Sequence, residues 1–198
     1  GERDFEAAVA VENWALAKAQ ADVLLARYPD TAAAERVRAK FDDVAAKGEA
    51  VRETARTQAL WTYNTANVEG GEQLSAAIYA KDNIDVDGTG AKRVQLIFRD
   101  HPSWGRSSYL VLQTGDFDCY PSCRVNVRVD DGEPRRMAAN RPKTDEAIAM
   151  FIDDERALWR LLDGAKTVSI EFPVKAGGTR TAVFEVAGLD RAKMPKWG

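Results

Sequence analysis

The chain has 198 residues, 45% apolar and 30% charged, a composition that suits a globular protein able to bury a core. No run of about 18 apolar residues is present, so nothing reads as a membrane-spanning helix. A formal charge of −3, from 28 Lys and Arg against 31 Asp and Glu, lacks the concentrated positive charge that phosphate backbones require and argues against a nucleic-acid partner.

From about Arg3 to Tyr28, the residues Ala10, Trp14, Ala17, Ala21, Leu24 and Tyr28 recur at three- and four-residue steps and predict one helix with an apolar face. Pro29 ends it, and Asp30 or Thr31 is placed to cap a second helix. That helix carries Val37, Phe41, Val44, Val51 and Ala55 as its stripe, interrupted by Gly48. Neither helix is stable alone, so the two stripes are expected to pack antiparallel, making residues 1–58 a helical hairpin. Trp14, Ala17, Ala21 and the Tyr28-Pro29 pair resemble a tetratricopeptide-type unit. A single unit implies the end of an array, a dimerisation arm through which the chain self-associates, a stalk, or a cover for the rest of the chain.

From Ala59 the period changes from helical to alternating. Leu60 to Tyr63, Gln73 to Ala80, Val94 to Phe98, Ser108 to Gln113, Val125 to Val129, Thr167 to Phe172 and Thr181 to Val186 read as strands, bounded by Gly, Asp and Pro. Val125, Val127 and Val129 alternate with Asn126 and Arg128, one face buried and one wet. A helix near Asp154 to Leu162 presents Ala157, Leu158, Leu161 and Leu162 and stops at Gly164. The fold class is therefore α+β: an N-terminal helical hairpin, then a mainly antiparallel β-sandwich or barrel over residues 59–198 with one short helix.

Both cysteines sit in Cys119-Tyr-Pro-Ser-Cys123, where a turn-forming proline can bring the thiols together. The alternatives are two free thiols or a metal site. With one His and no further Cys to complete a zinc shell, a structural disulfide is the better reading. Such a bond persists in oxidising compartments, which points to a periplasmic or extracellular address and to a signal or lipoprotein sequence in the full gene.

The phrases Phe117-Asp-Cys, Cys123-Arg-Val-Asn-Val-Arg-Val-Asp-Asp-Gly, Phe151-Ile-Asp-Asp, Val168-Ser-Ile-Glu-Phe and Phe184-Glu-Val-Ala-Gly-Leu resemble a recurrent bacterial secreted or lipoprotein domain of unknown function. They are also similar to β-sandwich proteins of the invasion-associated locus B type. The resemblance spans roughly Leu60 to Leu189 and implies an envelope address and no catalytic residues.

Each candidate for chemistry has a plainer reading beside it. Asn83, Asp85 and Asp87 with Gly88 imitate part of a calcium loop, but Val94 stands where a bidentate carboxylate belongs, so a solvated turn is the default. His101, the one histidine, has Asp100, Ser103, Ser107 and Ser108 nearby, yet neighbours on a strand or loop usually point apart and no nucleophile elbow occurs. Asp130-Asp131 and Asp153-Asp154-Glu155 suit a turn and a helix start, and Arg135, Arg136 and Arg141 a solvated basic loop. Trp104 and Arg106, at the tip of the His101 segment, are the residue types that anchor partners. The tail Lys193 to Gly198 either docks or is displayed.

These readings favour a non-enzymatic envelope protein that binds another envelope protein or a cell-wall component through Trp104 and Arg106, with no cofactor and no metal. The competing classes are a glycan hydrolase working through Asp85, Asp131 or Asp154, and an inhibitor or immunity protein presenting the disulfide loop or the His101 segment.

Overall fold

The computed structural model describes residues 1–143 and 148–198. They form two compact units, Gly1–Arg56 and Thr57–Gly198.

The first unit is a three-helix bundle instead of a hairpin. The expected single helix breaks into α1 (Glu2–Ala10) and α2 (Trp14–Arg27), because Glu12 takes a left-handed φ of 55° and the Asn13 side chain caps α2 by accepting the Leu16 N–H. Asn13 competes for the backbone more effectively than the apolar period can continue across it. As expected, Thr31 caps α3 (Ala32–Ala59): its Oγ1 accepts the Ala34 N–H at 3.2 Å. Phe5, Ala8, Ala17, Ala21, Leu24, Val37 and Val44 fill the core. Glu2–Arg36 and Glu6–Lys40 ion pairs set α1 parallel to α3, while Lys18 over Phe41 and Lys47 over Trp14 set α2 antiparallel to it. The predicted stripe ends at Gly48, which is buried against the first turn of α2; Val51 and Ala55 are exposed.

Among the described residues, the second unit is one nine-stranded antiparallel sheet with one α-helix. In chain order it runs β1 (Trp61–Val68), β2 (Gly71–Tyr79), β3 (Val94–His101), β4 (Gly105–Leu112), β5 (Cys123–Val129), β6 (Arg135–Asn140), β7 (Ala149–Ile152), α4 (Glu155–Leu161), β8 (Val168–Pro173) and β9 (Thr179–Phe184). The spatial order is β1-β2-β3-β4-β7-β6-β5-β8-β9. Burial alternates along the strands, so Val94, Leu96, Phe98, Leu110, Val125, Val127, Ile170, Phe172 and Phe184 all feed a single core. The sheet curls round that core far enough for the Lys81 N–H, just past β2, to donate to the Val183 carbonyl of β9 at 2.7 Å. Among the described residues it is one continuous wrapped sheet, as the expected antiparallel β-rich half of an α+β fold requires.

The sequence reading missed β6 and β7. Arg135 and Arg136 are in a strand paired with Val127 and Asn126, not in a loop. Asp154 caps α4, as its place before the helix suggests, by accepting the Ala157 N–H at 2.9 Å. Trp159 joins Leu158 and Leu162 as the buried face of α4, with Ala157 and Leu161 only partly covered. No helix among the described residues is long and apolar enough to cross a membrane.

Candidate functional site

β3 and β4 are joined by only Pro102, Ser103 and Trp104, and the turn closes on Gly105 at φ 73°, where a side chain would be strained. His101 is nearly buried, and its Nδ1 accepts the backbone N–H groups of Ser103 (3.1 Å) and Trp104 (3.3 Å). The Trp104 indole lies flat on the imidazole, centroids 3.9 Å apart and planes 11° from parallel. It nevertheless remains 72% exposed. A large apolar ring is thus held in one pose and offered to solvent.

Behind it the outward face of the sheet continues the surface. The Arg99 guanidinium sits 5.5 Å from the Trp104 ring and 5.3 Å from the Tyr109 ring, close enough for cation–π attraction to both. Its Nε donates to Ser107 Oγ at 3.2 Å. Tyr109 packs on Phe151 of β7, its cross-strand partner, at 4.9 Å. Burial pushes the Tyr109 hydroxyl above its ordinary pKa, with the Arg99 charge opposing that rise. Trp104, Arg99, Tyr109 and Phe151 therefore form a connected aromatic and cationic run across β3, β4 and β7. Sequence reading found Trp104 alone. Arg99 and Tyr109 lie ten residues apart, and Phe151 joins them only through the β4–β7 register.

Arg106 has an intramolecular task. Its Nη1 donates to the Lys196 carbonyl at 2.5 Å, and Lys196 Nζ lies 3.1 Å from the buried Asp100 carboxylate. Trp197 is buried edge-on against Phe98 at 5.3 Å and tilted on Trp159 at 5.0 Å. The tail docks.

The other candidates are dispersed. Ser103 Oγ donates to the Glu69 carbonyl, Ser107 holds Arg99 and Ser108 is buried in the core, so no serine hydroxyl reaches His101. Asp85 and Asp87 turn onto their own loop, accepting from Gly88 N–H and from Thr89 N–H and Oγ1. Those bonds draw the Asp87 pKa down. Among the described residues no three His, Cys, Asp or Glu side chains gather as a metal site. Asp154 borders a cleft of about 310 Å³ with Arg135, Arg136, Met137, Asp153 and Leu161, which neither Asp85 nor Asp131 lines.

Arg141 does not belong with Arg135 and Arg136. It is buried, with Nε 2.6 Å from Asp116 Oδ1, while Lys175 Nζ takes Oδ2 at 2.7 Å. Burial raises the Asp116 pKa, but hydrogen bonds from Arg141, Lys175 and the Phe117 N–H outweigh it and the net shift is downward. The Arg141 N–H also donates to the carbonyl of Cys119, which is disulfide-bonded to Cys123.

No protein-family model matches the sequence, and no curated protein does. Among solved structures the chain is similar to the crystal structure of invasion associated protein B from Bartonella henselae, at 12% identity over 70% of this chain and 91% of that chain, with a TM-score of 0.46. It brings neither a fold nor a residue role to this chain.

Proposed function

We propose that this chain is a non-enzymatic binding protein of the bacterial cell envelope, which engages another envelope protein or a cell-wall component through Trp104, Arg99, Tyr109 and Phe151. The carrying observation is the stacked yet 72% exposed Trp104. Tryptophan and arginine dominate binding hot spots, and a ring already fixed in its pose loses little rotamer freedom when a partner covers it. The Cys119–Cys123 disulfide supports an oxidising, extracytoplasmic address. The three-helix unit supplies spacing or self-association.

The test compares wild type, Trp104→Ala and Arg99→Ala in co-sedimentation with purified cell-wall sacculi and in crosslinking to envelope proteins in intact cells. A hot spot of about 2 kcal/mol corresponds to roughly 30-fold weaker retention for Trp104→Ala. Arg106→Ala is a poorer probe, because it also releases Lys196. Undiminished retention by both variants refutes the proposed surface, and release of soluble glycan from the sacculi refutes the non-enzymatic role.

A further inference from the structure

His101 is the one histidine of the chain, and its ring holds the turn in two ways. Its Nδ1 accepts the backbone N–H groups of Ser103 and Trp104, and its face carries the Trp104 indole. Backbone N–H groups only donate, so Nδ1 is without a proton and the ring is the neutral tautomer with its hydrogen on Nε2. An imidazolium ion carries a proton on both nitrogens and accepts nothing. A proton therefore cannot be added to this ring without losing both bonds that shape the turn and bring Trp104 over it.

The charges around the ring do not take over that task. By the alternation of β3, Arg99 shares the outward face with His101, and its guanidinium already sits by the Trp104 ring, so a second positive charge there meets a like one. Tyr109 lies beyond Arg99, 5.3 Å from its guanidinium. Asp100 is turned to the core side, where Lys196 Nζ of the tail meets it at 3.1 Å. On β4 the register partner of His101 is the uncharged Gly105, while Arg106 stands opposite Asp100 and donates to the tail. On the β1–β2 side Gly70 and Gly71 approach Pro102 and Ser103, flanked by exposed Glu69 and Glu72. Glu69 meets the turn through its backbone, its carbonyl accepting Ser103 Oγ at 3.3 Å. That bond needs nothing from His101, so Ser103 stays anchored when the ring lets go. Trp104 is the group set free.

We infer that His101 is a pH switch on the pose of Trp104: the neutral ring holds the indole flat and displayed, and protonation releases it. Histidine is the side chain whose charge ordinarily changes between about pH 5 and 8. The turn is exposed at Ser103 and Trp104, so water can take the two amides once the ring is charged, and the change stays local. The inference deepens the binding role proposed above, on which its functional consequence rests. A fixed indole needs less ordering by a partner than a free one, so acid weakens binding.

The test follows the full chain by NMR from about pH 8 to about pH 5, beside sacculus co-sedimentation at the two ends of that range. The Nε2–H tautomer is expected at the upper end, read from the ring nitrogen shifts. As the ring takes its proton, the Ser103 and Trp104 amide signals should move with the same midpoint and their hydrogen-exchange protection should fall at least tenfold. His101→Asn offers an oxygen that can accept the same two N–H groups and does not titrate. Its two amides are expected to show no such transition, and its sacculus retention to change less than twofold across the range, against at least fivefold weakening for wild type. An Nδ1–H tautomer, a ring still neutral at the lower end, amides indifferent to ring protonation, or an equal pH response in His101→Asn each overturns the inference. Switching amides without sacculus retention at either end uphold the switch and refute the cell-wall reading of the surface.

Discussion

Asp116→Asn removes the carboxylate that neutralises Arg141 while keeping the shape of the side chain. Arg141 is 8% exposed and Asp116 21%, so the substitution strands a guanidinium that water reaches poorly. Breaking a buried pair by removing one partner costs about 3–5 kcal/mol. Partial exposure of Asp116, and the freedom of exposed Lys175 to turn to solvent, reduce this to about 2–3 kcal/mol. For a unit of this size the loss lowers the melting temperature by about 6–12 °C, readable by circular dichroism at neutral pH. Its sign with pH follows from the depressed carboxyl. A carboxylate whose folded pKa lies below its unfolded value, about 3.9, stabilises fully above that value and loses its effect as pH falls through the folded pKa. The gap between wild type and Asp116→Asn should therefore narrow below about pH 4. A second check is Asp116→Ala with Arg141→Met, which leaves no orphaned charge and should recover part of the loss. A neutral-pH shift under about 2 °C, which is well below 1 kcal/mol, would refute the reasoning.

Two further outcomes rest on packing and covalent structure. Gly188→Ala would drive its Cβ into the backbone of Thr57 and Gln58, which cannot yield as a flexible side chain can; a loss of about 3 kcal/mol or more is expected, and a urea midpoint equal to wild type would contradict it. Untreated folded protein should show no thiol reactivity, and Cys119→Ser with Cys123→Ser should lose about 2 kcal/mol for a loop of this length on the chain-entropy model. Labelling of both sulfurs without reductant would remove the disulfide and the argument for an oxidising compartment together.

What the sequence by itself determined is local: the stop at Pro29, the cap at Thr31, the alternation of Val125 and Val127, the cysteine turn and the helix begun by Asp154. Each arises from backbone chemistry within a few residues, through missing donors, capping oxygens and the strand period of two. Even locally, Asn13 interrupts a helix although the apolar repeat continues on both sides of it, and Arg135 and Arg136 open β6 without an apolar alternation. What tertiary structure alone decided is which distant residues become neighbours. Arg141 looked like part of a basic loop beside Arg136 but is matched with Asp116, while Arg136 stands beside Asn126. Trp104 was legible as a candidate, but the Arg99–Tyr109–Phe151 surface behind it required the β3–β4–β7 register. The physical reason is that propensity and periodicity act along the chain, whereas strand register and charge pairing are settled by which folded arrangement buries the shared core with its polar groups satisfied.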